Sequence, residues 1–273
     1  MVFKVFVRID FMDLAIIKVG GSVITDKKSS EPKLNEKNLE IFARDVSEIF
    51  RKKSARLIIC HGAGSYGHQI VKRTGIHKGI ETAEQVHAFA ETQKQMNELN
   101  VLVCSALLKN GVPSIPMQAS ANVVMDAGRI SEWDTKAIEG FLEVGMVPVV
   151  YGVPAFDKKQ KCSILSGDQI APFLAKKLGA KKIIHGTNVD GIFTADPNKN
   201  PAAERIPEIS SENIEQVKKL LGESDSVDVT GGMFGKVSEL LDLGIESQVV
   251  NSLLPGRIVE AFDGENVGTK IVM

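Results

Sequence analysis

The sequence predicts an α/β protein, a three-layer α/β/α sandwich built on a mainly parallel, open sheet. Short apolar runs rich in β-branched residues alternate with longer amphipathic stretches, which is the pattern of alternating strands and helices. Within each short run the apolar residues are consecutive, as in strands buried on both faces of a parallel sheet. Glycine-rich turns follow several of these runs, at the edge of the sheet where open α/β folds bind ligands.

The strands and helices can be placed in chain order. The segment 153–165 is predicted to be a β-hairpin that turns at 157–161, and residues 194–210 a loop rich in proline and asparagine. The remaining strands are expected at AIIKVGG, RLIICHG, SIPMQAS, MVPVVYG, KKIIHGT and SQVVNS, with helices over 34–53, 83–110, 135–143 and 168–178.

Helix boundaries carry local signals. The Asn-Gly pair at 110–111 closes the long second helix, and the Ser-Gly-Asp sequence at 166–168 caps the start of another. The Thr-Gly-Gly sequence at 230–232 opens a helix that is expected to run to Leu243. Residues 1–13 are predicted to form an extra segment ahead of the first core strand.

Composition limits the kinds of partner. The 273 residues, 43% of them hydrophobic, suffice for the core of one domain. Because 33 basic residues nearly balance 34 acidic ones, nucleic acid and anionic membranes are not expected as main partners, and a small molecule is. No apolar run reaches the roughly 20 residues of a membrane helix, and no signal-peptide cleavage site is present, so a cytoplasmic location is expected.

Three widely spaced cysteines in apolar segments are predicted to be reduced core thiols: Cys60, Cys104 and Cys162.

The loop HGAGSYGH after the second strand has the glycine spacing of a dinucleotide-binding fingerprint, at residues 62, 64 and 67. That fold would continue with a helix, a second apolar strand and an acidic residue that binds the ribose. The following segment, KRTGIHKGIETAEQVHAFAE, is polar and helix-like instead, so NAD is disfavoured. The later segment GGMFGK is one residue short of a Walker loop and has Val237 where that loop has Ser or Thr, so a P-loop enzyme is not expected.

Glycine turns with neighbouring lysines predict a polyphosphate substrate. Backbone N–H groups that no Cβ shields bind phosphate oxygens, and such turns occur at 20–22, 166–168, 186–187 and 231–232. Lys18 lies within an otherwise apolar strand, where an unpaired ammonium is costly and a bound phosphate would relieve that cost. Two further lysines follow glycine turns, Lys27 and Lys236.

Five spaced segments carry a family resemblance over nearly the whole chain. They are IIKVGGSVITDK, HGAGSYGH, ILSGDQ, GTNVDGIFTADP and DVTGGMFGK, in this order. The chain resembles the amino acid kinase superfamily and, within it, the isopentenyl phosphate kinases of the archaeal type. The resemblance implies one amino acid kinase-like domain over residues 1–273, with an acceptor-binding half at about 14–165 and an ATP-binding half at about 166–273. It further implies ATP-dependent phosphorylation of isopentenyl phosphate to isopentenyl diphosphate, with ATP as co-substrate, Mg²⁺ and a homodimer.

The resemblance also implies roles for individual residues. The transferring phosphoryl group would be held by Lys18 and the turn of Gly20, Gly21 and Ser22, with Lys27 neutralising charge and Asp168 orienting the lysines. The acceptor phosphate would be bound by Ala63, His68 and Gly167. The nucleotide would be contacted by Gly64, Asp190, Asp196, Gly232 and Lys236. Two positions depart from the family pattern, Tyr66 where Phe is usual and Asn188 where Asp is common, and the second removes a charge near the nucleotide.

Phosphoryl transfer requires positioning and positive charge more than covalent chemistry. A phosphate monoester has a second pKa of about 6, so the acceptor is ionised without a general base and His68 is predicted to bind rather than to abstract a proton. Magnesium is expected to arrive with ATP, since the acidic residues form no tight ligand cluster. The five-carbon tail would contribute about 3 to 4 kcal/mol in an apolar pocket. Candidates for its walls are Ile76, Ile80, Val86, Phe89 and Met96, although for each of them singly a place in the core is the favoured interpretation.

Two alternatives stay open. One is a kinase of the same fold for another small phosphate, phosphonate or acid, such as a fosfomycin-type kinase. The other is a nucleotide-binding regulator without turnover, against which the presence of all the lysines and Asp168 argues. The remaining histidines are expected to have structural or surface roles: His61, His77, His87 and His185.

Overall fold

The computed structural model describes residues 12–26, 29, 31–197, 199–222, 232–241 and 243–272. The strands are β1 (Asp13–Val19), β2 (Ala55–His61), β3 (Ser114–Pro116), β4 (Val123–Asp126), β5 (Arg129–Trp133), β6 (Val147–Tyr151), β7 (Val153–Asp157), β8 (Lys161–Leu165), β9 (Lys182–Thr187), β10 (Ile192–Phe193), β11 (Arg205–Ile206), β12 (Glu208–Ser210), β13 (Glu246–Asn251) and β14 (Thr269–Val272). The helices are α1 (Gly21–Ile24), α2 (Glu36–Lys52), α3 (His68–Thr74), α4 (Ala83–Lys109), α5 (Lys136–Glu143), α6 (Gly167–Leu178), α7 (Ile214–Gly222), α8 (Gly232–Leu240) and α9 (Arg257–Phe262).

Eight strands form the central sheet in the order β12-β14-β13-β9-β1-β2-β6-β3. All neighbouring pairs are parallel except β13 and β14. The mainly parallel sheet predicted from the consecutive apolar runs is therefore confirmed. The first part of the chain builds the sheet on one side of β1 and the second part builds it on the other. In open α/β sheets such a switch point leaves a crevice at the carboxyl ends of the strands.

Helices cover both faces of this sheet, which confirms the three layers. Side chains of β1 alternate between the faces because successive residues of a strand point to opposite sides. Ala15 and Ile17 pack in the cluster that contains apolar residues of α2, α4 and α9. Leu14 and Ile16 pack in the cluster that contains those of α5, α6, α7 and α8.

The longest helix, α4, spans 27 residues, close to the predicted range. Thr82 caps it in a capping box with Gln85, whose backbone N–H donates to the threonine hydroxyl. Its buried face packs on the sheet through Met96, Leu99, Val103 and Leu107. Among the described helices, none has the length and apolar content to cross a membrane.

A second, four-stranded sheet has the order β5-β4-β7-β8. The hairpin predicted at 153–165 is confirmed as β7 and β8, but the hairpin of β4 and β5 was not predicted. The fully buried carboxylate of Asp157 connects the two turns, because it accepts hydrogen bonds from the backbone N–H groups of Ala127, Gly128, Lys159 and Gln160. The pattern of apolar residues did not indicate this side-chain role.

Two boundary predictions need correction. Residues 194–210 are not wholly a loop, because β11 and β12 lie within them. β12 pairs with β14, about sixty residues later, so nothing local marks it as a strand. Residues 1–11 of the predicted extra segment, and residues 230 and 231 of the predicted helix start, lie outside the described residues, while Asp13 already belongs to β1.

Candidate active site

A buried ion pair lies at the carboxyl edge of the sheet. Lys18, on β1, donates from Nζ to Oδ1 of Asp168 over 2.8 Å, and their side chains are 5% and 18% exposed. Asp168 is held in the first turn of α6, whose N-cap Ser166 accepts a hydrogen bond from the N–H of Gln169. A carboxylate is stabilised at that end of a helix. The lysine that the sequence placed in an apolar strand thus has a partner within the chain.

His185 belongs to the same group of side chains. It lies on β9, next to β1, and its ring is fully buried. Its Nδ1 is 3.9 Å from Oδ1 of Asp168. The sequence predicted a structural or surface role for this histidine. The register of β9 against β1 places it beside the Lys18–Asp168 pair.

Two glycine turns lie directly against each other beside this pair. A Cβ built on Gly21 would be 2.1 Å from the backbone nitrogen of Gly64, and one built on Gly62 would be 2.7 Å from the nitrogen of Gly21. Side chains therefore do not fit between the turns. Gly20 is tied to β9 by a hydrogen bond to the carbonyl of Gly186, and Gly62 to β1 by one to the carbonyl of Val19.

The backbone of these turns can bind anions. Within the described residues, the N–H groups of Gly21, Ser22, Ala63 and Gly64 have no intramolecular acceptor. Unshielded N–H groups close to a lysine are the usual donors to phosphate oxygens. The structure thus brings the turn at 20–22 and the turn at 62–64 together at the carboxyl edge of the sheet.

Gly167 closes the site from the side of α6. A Cβ there would lie 3.4 Å from Cε of Lys18 and 3.3 Å from Sγ of Cys60. Both distances leave little room for a side chain, so α6 approaches β1 and β2 closely because this residue is glycine. His68 begins α3, directly after the second glycine turn and at the same edge of the sheet.

A cavity of about 250 Å³ extends from Asp168. One end is bounded by Ser166, Asp168 and Gly235, and Ile164 also lines it. Ile164 packs on a small apolar cluster separate from the main core, made of Ile70, Val71, Ile76, Ala88 and Cys162 together with Ile80 and Phe89. The lining therefore contains both Asp168 and one large apolar side chain, Ile164, which separates the cavity from that cluster.

The predicted walls of an apolar pocket need correction. Ile76, Ile80 and Phe89 do lie together in that small cluster. Val86 is 57% exposed, and Met96 is fully buried in the main core. Helical spacing suggested one shared face for Val86, Phe89 and Met96, but the sheet covers only part of this long helix, so these three residues separate.

Comparison with known proteins decides the family. Residues 13–251 match the model of the amino acid kinase family. The isopentenyl phosphate kinase of Methanothermobacter thermautotrophicus is 43% identical over 268 residues, which cover 94% of this chain and 98% of that protein. The chain belongs to the amino acid kinase family.

Solved structures of similar proteins agree with this assignment. One described as "X-ray structures of isopentenyl phosphate kinase" has a TM-score of 0.81 and 39% identity, over 95% of this chain and 100% of that one. A product complex of the isopentenyl phosphate kinase from T. acidophilum has a TM-score of 0.74 and 25% identity, over 94% of this chain and 99% of that one. The predicted fold class and the predicted resemblance are both confirmed.

The structure gives fewer contacts for the other predicted site residues of this amino acid kinase chain. Asp190, three residues beyond β9, accepts a hydrogen bond of 3.1 Å from Asn251 at the end of β13. Asp196 is exposed in the segment between β10 and β11. Gly232 begins α8 and Lys236 lies within that helix, with its side chain outside the described part; Lys27 lies outside it altogether. Gly235, beside Lys236, lines the cavity that contains Asp168.

His61 confirms the predicted structural role for a histidine. The ring is fully buried, stacks on Tyr151 and contacts the side chain of Asn100 through Nε2 at 3.1 Å. Burial lowers the pKa of His61 to about 4, although contacts of the ring nitrogens with the carbonyl of Gly62 and the side-chain oxygen of Asn100 favour the charged form. His61 is therefore neutral near pH 7. The three cysteines are buried thiols outside any disulfide, as predicted.

Several residues near the cavity were missed by sequence reasoning. Gln169 donates from Nε2 to the carbonyl of Gly128 in the β4–β5 turn, and Glu239 of α8 forms a bidentate ion pair with Arg129. Both Gln169 and Glu239 line the cavity. Gln169 ends the segment ILSGDQ and Glu239 lies outside all five segments, and neither role could be predicted because the partners lie on other elements. Among the described residues, no group of three His, Cys, Asp or Glu side chains could hold a metal ion.

Proposed function

We propose that this amino acid kinase transfers the γ-phosphoryl group of ATP to isopentenyl phosphate and releases isopentenyl diphosphate and ADP. The observation that carries the proposal is the buried Lys18–Asp168 pair beside two interlocked glycine turns. The similar proteins named as isopentenyl phosphate kinases, over nearly the whole chain, support the choice of acceptor.

Positive charge and backbone N–H groups stabilise the transition state of this reaction. The ammonium of Lys18 and the N–H groups of Gly21 and Ser22 stabilise the charge on the transferring group. Asp168 holds that ammonium in place with a hydrogen bond of 2.8 Å. Lys27 and Lys236 add positive charge in this proposal, and Gly20, whose own N–H donates to the carbonyl of Gly186, belongs to the same turn.

The acceptor phosphate binds to the second turn. The N–H of Ala63 and the side chain of His68 donate to its oxygens, and Gly167 allows it to approach closely. Because the phosphate is already ionised near neutral pH, it attacks without a general base. A histidine that donates to a dianion favours its protonated form, and this selects phosphate over neutral acceptors.

The isoprenoid tail extends into the cavity toward Ile164. The cluster behind Ile164 is apolar, so burying five carbons there contributes about 3 to 4 kcal/mol. The depth of the cavity then limits the length of the tail.

ATP binds on the side of α8 and of the loop after β9, with Gly64, Asp190, Asp196 and Gly232 as its proposed contacts. Magnesium enters as part of the MgATP substrate and keeps several water ligands. We place the enzyme in the cytoplasm, where ATP is available.

The experiment is a MgATP assay with isopentenyl phosphate, fosfomycin, UMP and glutamate as separate acceptors. Wild type is expected to prefer isopentenyl phosphate. His68→Ala is expected to raise the KM for isopentenyl phosphate by about tenfold or more, because a charge-assisted hydrogen bond is lost, while the KM for ATP stays nearly constant. His87→Ala, an exposed histidine on α4, is the matched control and should behave as wild type.

The alternatives predict other results. Turnover of fosfomycin or another acid in preference to isopentenyl phosphate would keep the kinase and overturn the acceptor. ATP binding without product from any acceptor would support a regulator.

We also propose a homodimer. Apolar side chains are exposed beside the sheet edge formed by β3, at Val101, Leu102 and Leu108 of α4 and at Val144 and Met146 before β6. Exposed apolar residues next to an edge strand favour association. Sedimentation of Leu108→Glu is expected to give monomers where wild type gives dimers, and Leu254→Glu, an exposed leucine outside this region, is the control.

A further inference from the structure

The hydroxyl of Thr25 connects the two glycine turns. Its side chain lies where α1 ends, and the residue is 2% exposed. Oγ1 donates to the carbonyl of Gly21 over 2.7 Å and accepts from the N–H of Ser65 over 3.0 Å. The first partner belongs to the turn after β1 and the second to the turn after β2.

The two glycine turns are tightly packed around the hydroxyl of Thr25. A Cβ on Gly64, whose φ is +53°, would lie 1.9 Å from Oγ1 of Thr25. The carbonyl of Gly21 also accepts the backbone N–H of Thr25 over 3.0 Å. The hydroxyl therefore fills the space between the turns, and a small change at Thr25 moves one turn against the other.

The chain after Thr25 supports the same contact from behind. Ser65 accepts a hydrogen bond on Oγ from the N–H of Lys33, and Oγ lies 3.3 Å from the carbonyl of Lys33. Thr25 itself forms a β-bridge with Leu34. Both partners of the hydroxyl are thus held by neighbouring backbone, so the Thr25 hydroxyl joins two rigid segments.

Thr25 also determines which N–H groups stay available to ligands. The N–H of Ser65 is occupied by Oγ1, whereas those of Ala63 and Gly64 have no acceptor within the described residues. The turn after β2, which is proposed to bind the acceptor phosphate, thus presents the N–H groups of Ala63 and Gly64 to ligands. Thr25 itself is not required to touch either substrate.

We infer that Thr25 is a positioning residue that sets the distance between the donor phosphoryl group on the first turn and the acceptor phosphate on the second. The inference rests on the proposed function, which assigns these two groups to the two turns. In-line transfer depends on that distance, because a displacement of about 1 Å in the reacting atoms can cost about a hundredfold in rate. Loss of the hydroxyl should therefore lower kcat more than it weakens binding of either substrate.

The test compares Thr25→Val, which has nearly the same shape without the hydroxyl, with Thr25→Ser, which keeps it. We expect Thr25→Val to lower kcat by about tenfold to a hundredfold, with both KM values within about threefold of wild type. Thr25→Ser should keep kcat within about threefold.

A matched control removes a buried hydroxyl beside the same turn. Thr92 is 1% exposed, and its hydroxyl donates to the carbonyl of Ala88 within α4. Its Cγ2 would lie 3.6 Å from a Cβ on Gly67. Thr92→Val should therefore keep kcat near wild type. Kinetics are measured at a temperature where unfolding curves show every variant folded, which separates a rate effect from a loss of stability.

Two results would overturn the inference: Thr25→Val with wild-type kcat, or Thr25→Ser as impaired as Thr25→Val. If wild type does not phosphorylate isopentenyl phosphate, the proposed function fails by that result alone. Calorimetry then decides the role of Thr25, using AMP-PNP and inorganic phosphate as the two probes. Thr25→Val should change the coupling between the probes by about threefold or more while each binds alone as in wild type, and unchanged coupling would refute the inference.

Discussion

Asp168 accepts a hydrogen bond of 2.8 Å from Nζ of Lys18, although 150 residues separate them in the chain. β1 supplies the lysine and the first turn of α6 supplies the carboxylate. The pair thus joins two distant parts of the sequence at the switch point of the sheet. It also explains how an ammonium is tolerated in an apolar strand before any phosphate binds.

Removing either member of this pair should nearly abolish turnover. Lys18→Met and Asp168→Asn are each expected to lower kcat by about a hundredfold or more, because preorganised charge at the transferring group is lost. Asp168→Asn should also lower the free energy of unfolding by about 3 kcal/mol, since the buried ammonium of Lys18 loses its carboxylate partner. Turnover and urea unfolding measure the two effects.

The control is Lys177→Met, an exposed lysine on the same helix as Asp168. It should match wild type in both measurements. Turnover within threefold of wild type in Lys18→Met would remove this lysine from the mechanism.

The buried ring of His61 should make stability depend on pH. Its pKa in the folded protein is about 4, below the value of about 6.5 in the unfolded chain, so the unfolded chain binds the proton first as the pH falls. The stability that the neutral ring contributes is complete above about pH 6.5 and decreases by about 3 kcal/mol toward pH 4. Denaturant unfolding at several pH values between 4 and 7.5 should show this slope.

His61→Gln should flatten that slope, whereas His87→Gln, at an exposed site, should keep it. An identical slope in His61→Gln and wild type would assign the pH dependence to other groups.

Asp157 should stabilise the small sheet as a carboxylate. Burial raises its pKa, but hydrogen bonds from Ser163 and from the N–H groups of Gly128, Gln160 and Lys159 outweigh this and hold the pKa well below its usual range. Its contribution is therefore present above the unfolded-state pKa of about 3.9 and is lost as the pH falls below that value. Asp157→Asn should lower the free energy of unfolding at pH 7 by about 2 to 4 kcal/mol, because acceptors are lost at buried donors.

Denaturant unfolding of Asp157→Asn beside Asp134→Asn gives the comparison, since Asp134 is exposed and accepts a single N–H bond, from Lys136. Equal stability of the two variants at pH 7 would contradict the role assigned to Asp157.

The ion pair of Arg129 and Glu239 should contribute little to stability. The hydrogen bond that Arg129 donates to Glu239 raises the pKa of Arg129, but the arginine side chain is 64% exposed, so solvent screens the pair. A double-mutant cycle with Arg129→Met and Glu239→Gln should give a coupling energy of about 0.5 to 1 kcal/mol that decreases in 1 M salt. A coupling that does not respond to salt would argue against this electrostatic origin.

The sequence alone determined the class of fold, and it predicted the main features of the proposed site. Strands buried on both faces leave consecutive apolar runs, and the long helix leaves caps at both ends, so β1, β2, β6, β9 and α4 were recognisable locally. A lysine inside such a run and glycines directly after it indicated a phosphate site for a physical reason, the cost of an unpaired buried charge and the access that a missing Cβ provides.

Only the tertiary structure decided which of these groups meet. The distance from Lys18 to Asp168, the packing of Gly21 on Gly64 and the bridge made by Thr25 all depend on the order of strands in the sheet. The strands β12 and β14 and the separation of Val86 from Phe89 depend on it as well. Such contacts join residues that are far apart in the chain, and no local pattern specifies which partner a residue will meet. The sequence therefore predicted the chemical groups, and the fold determined their geometry.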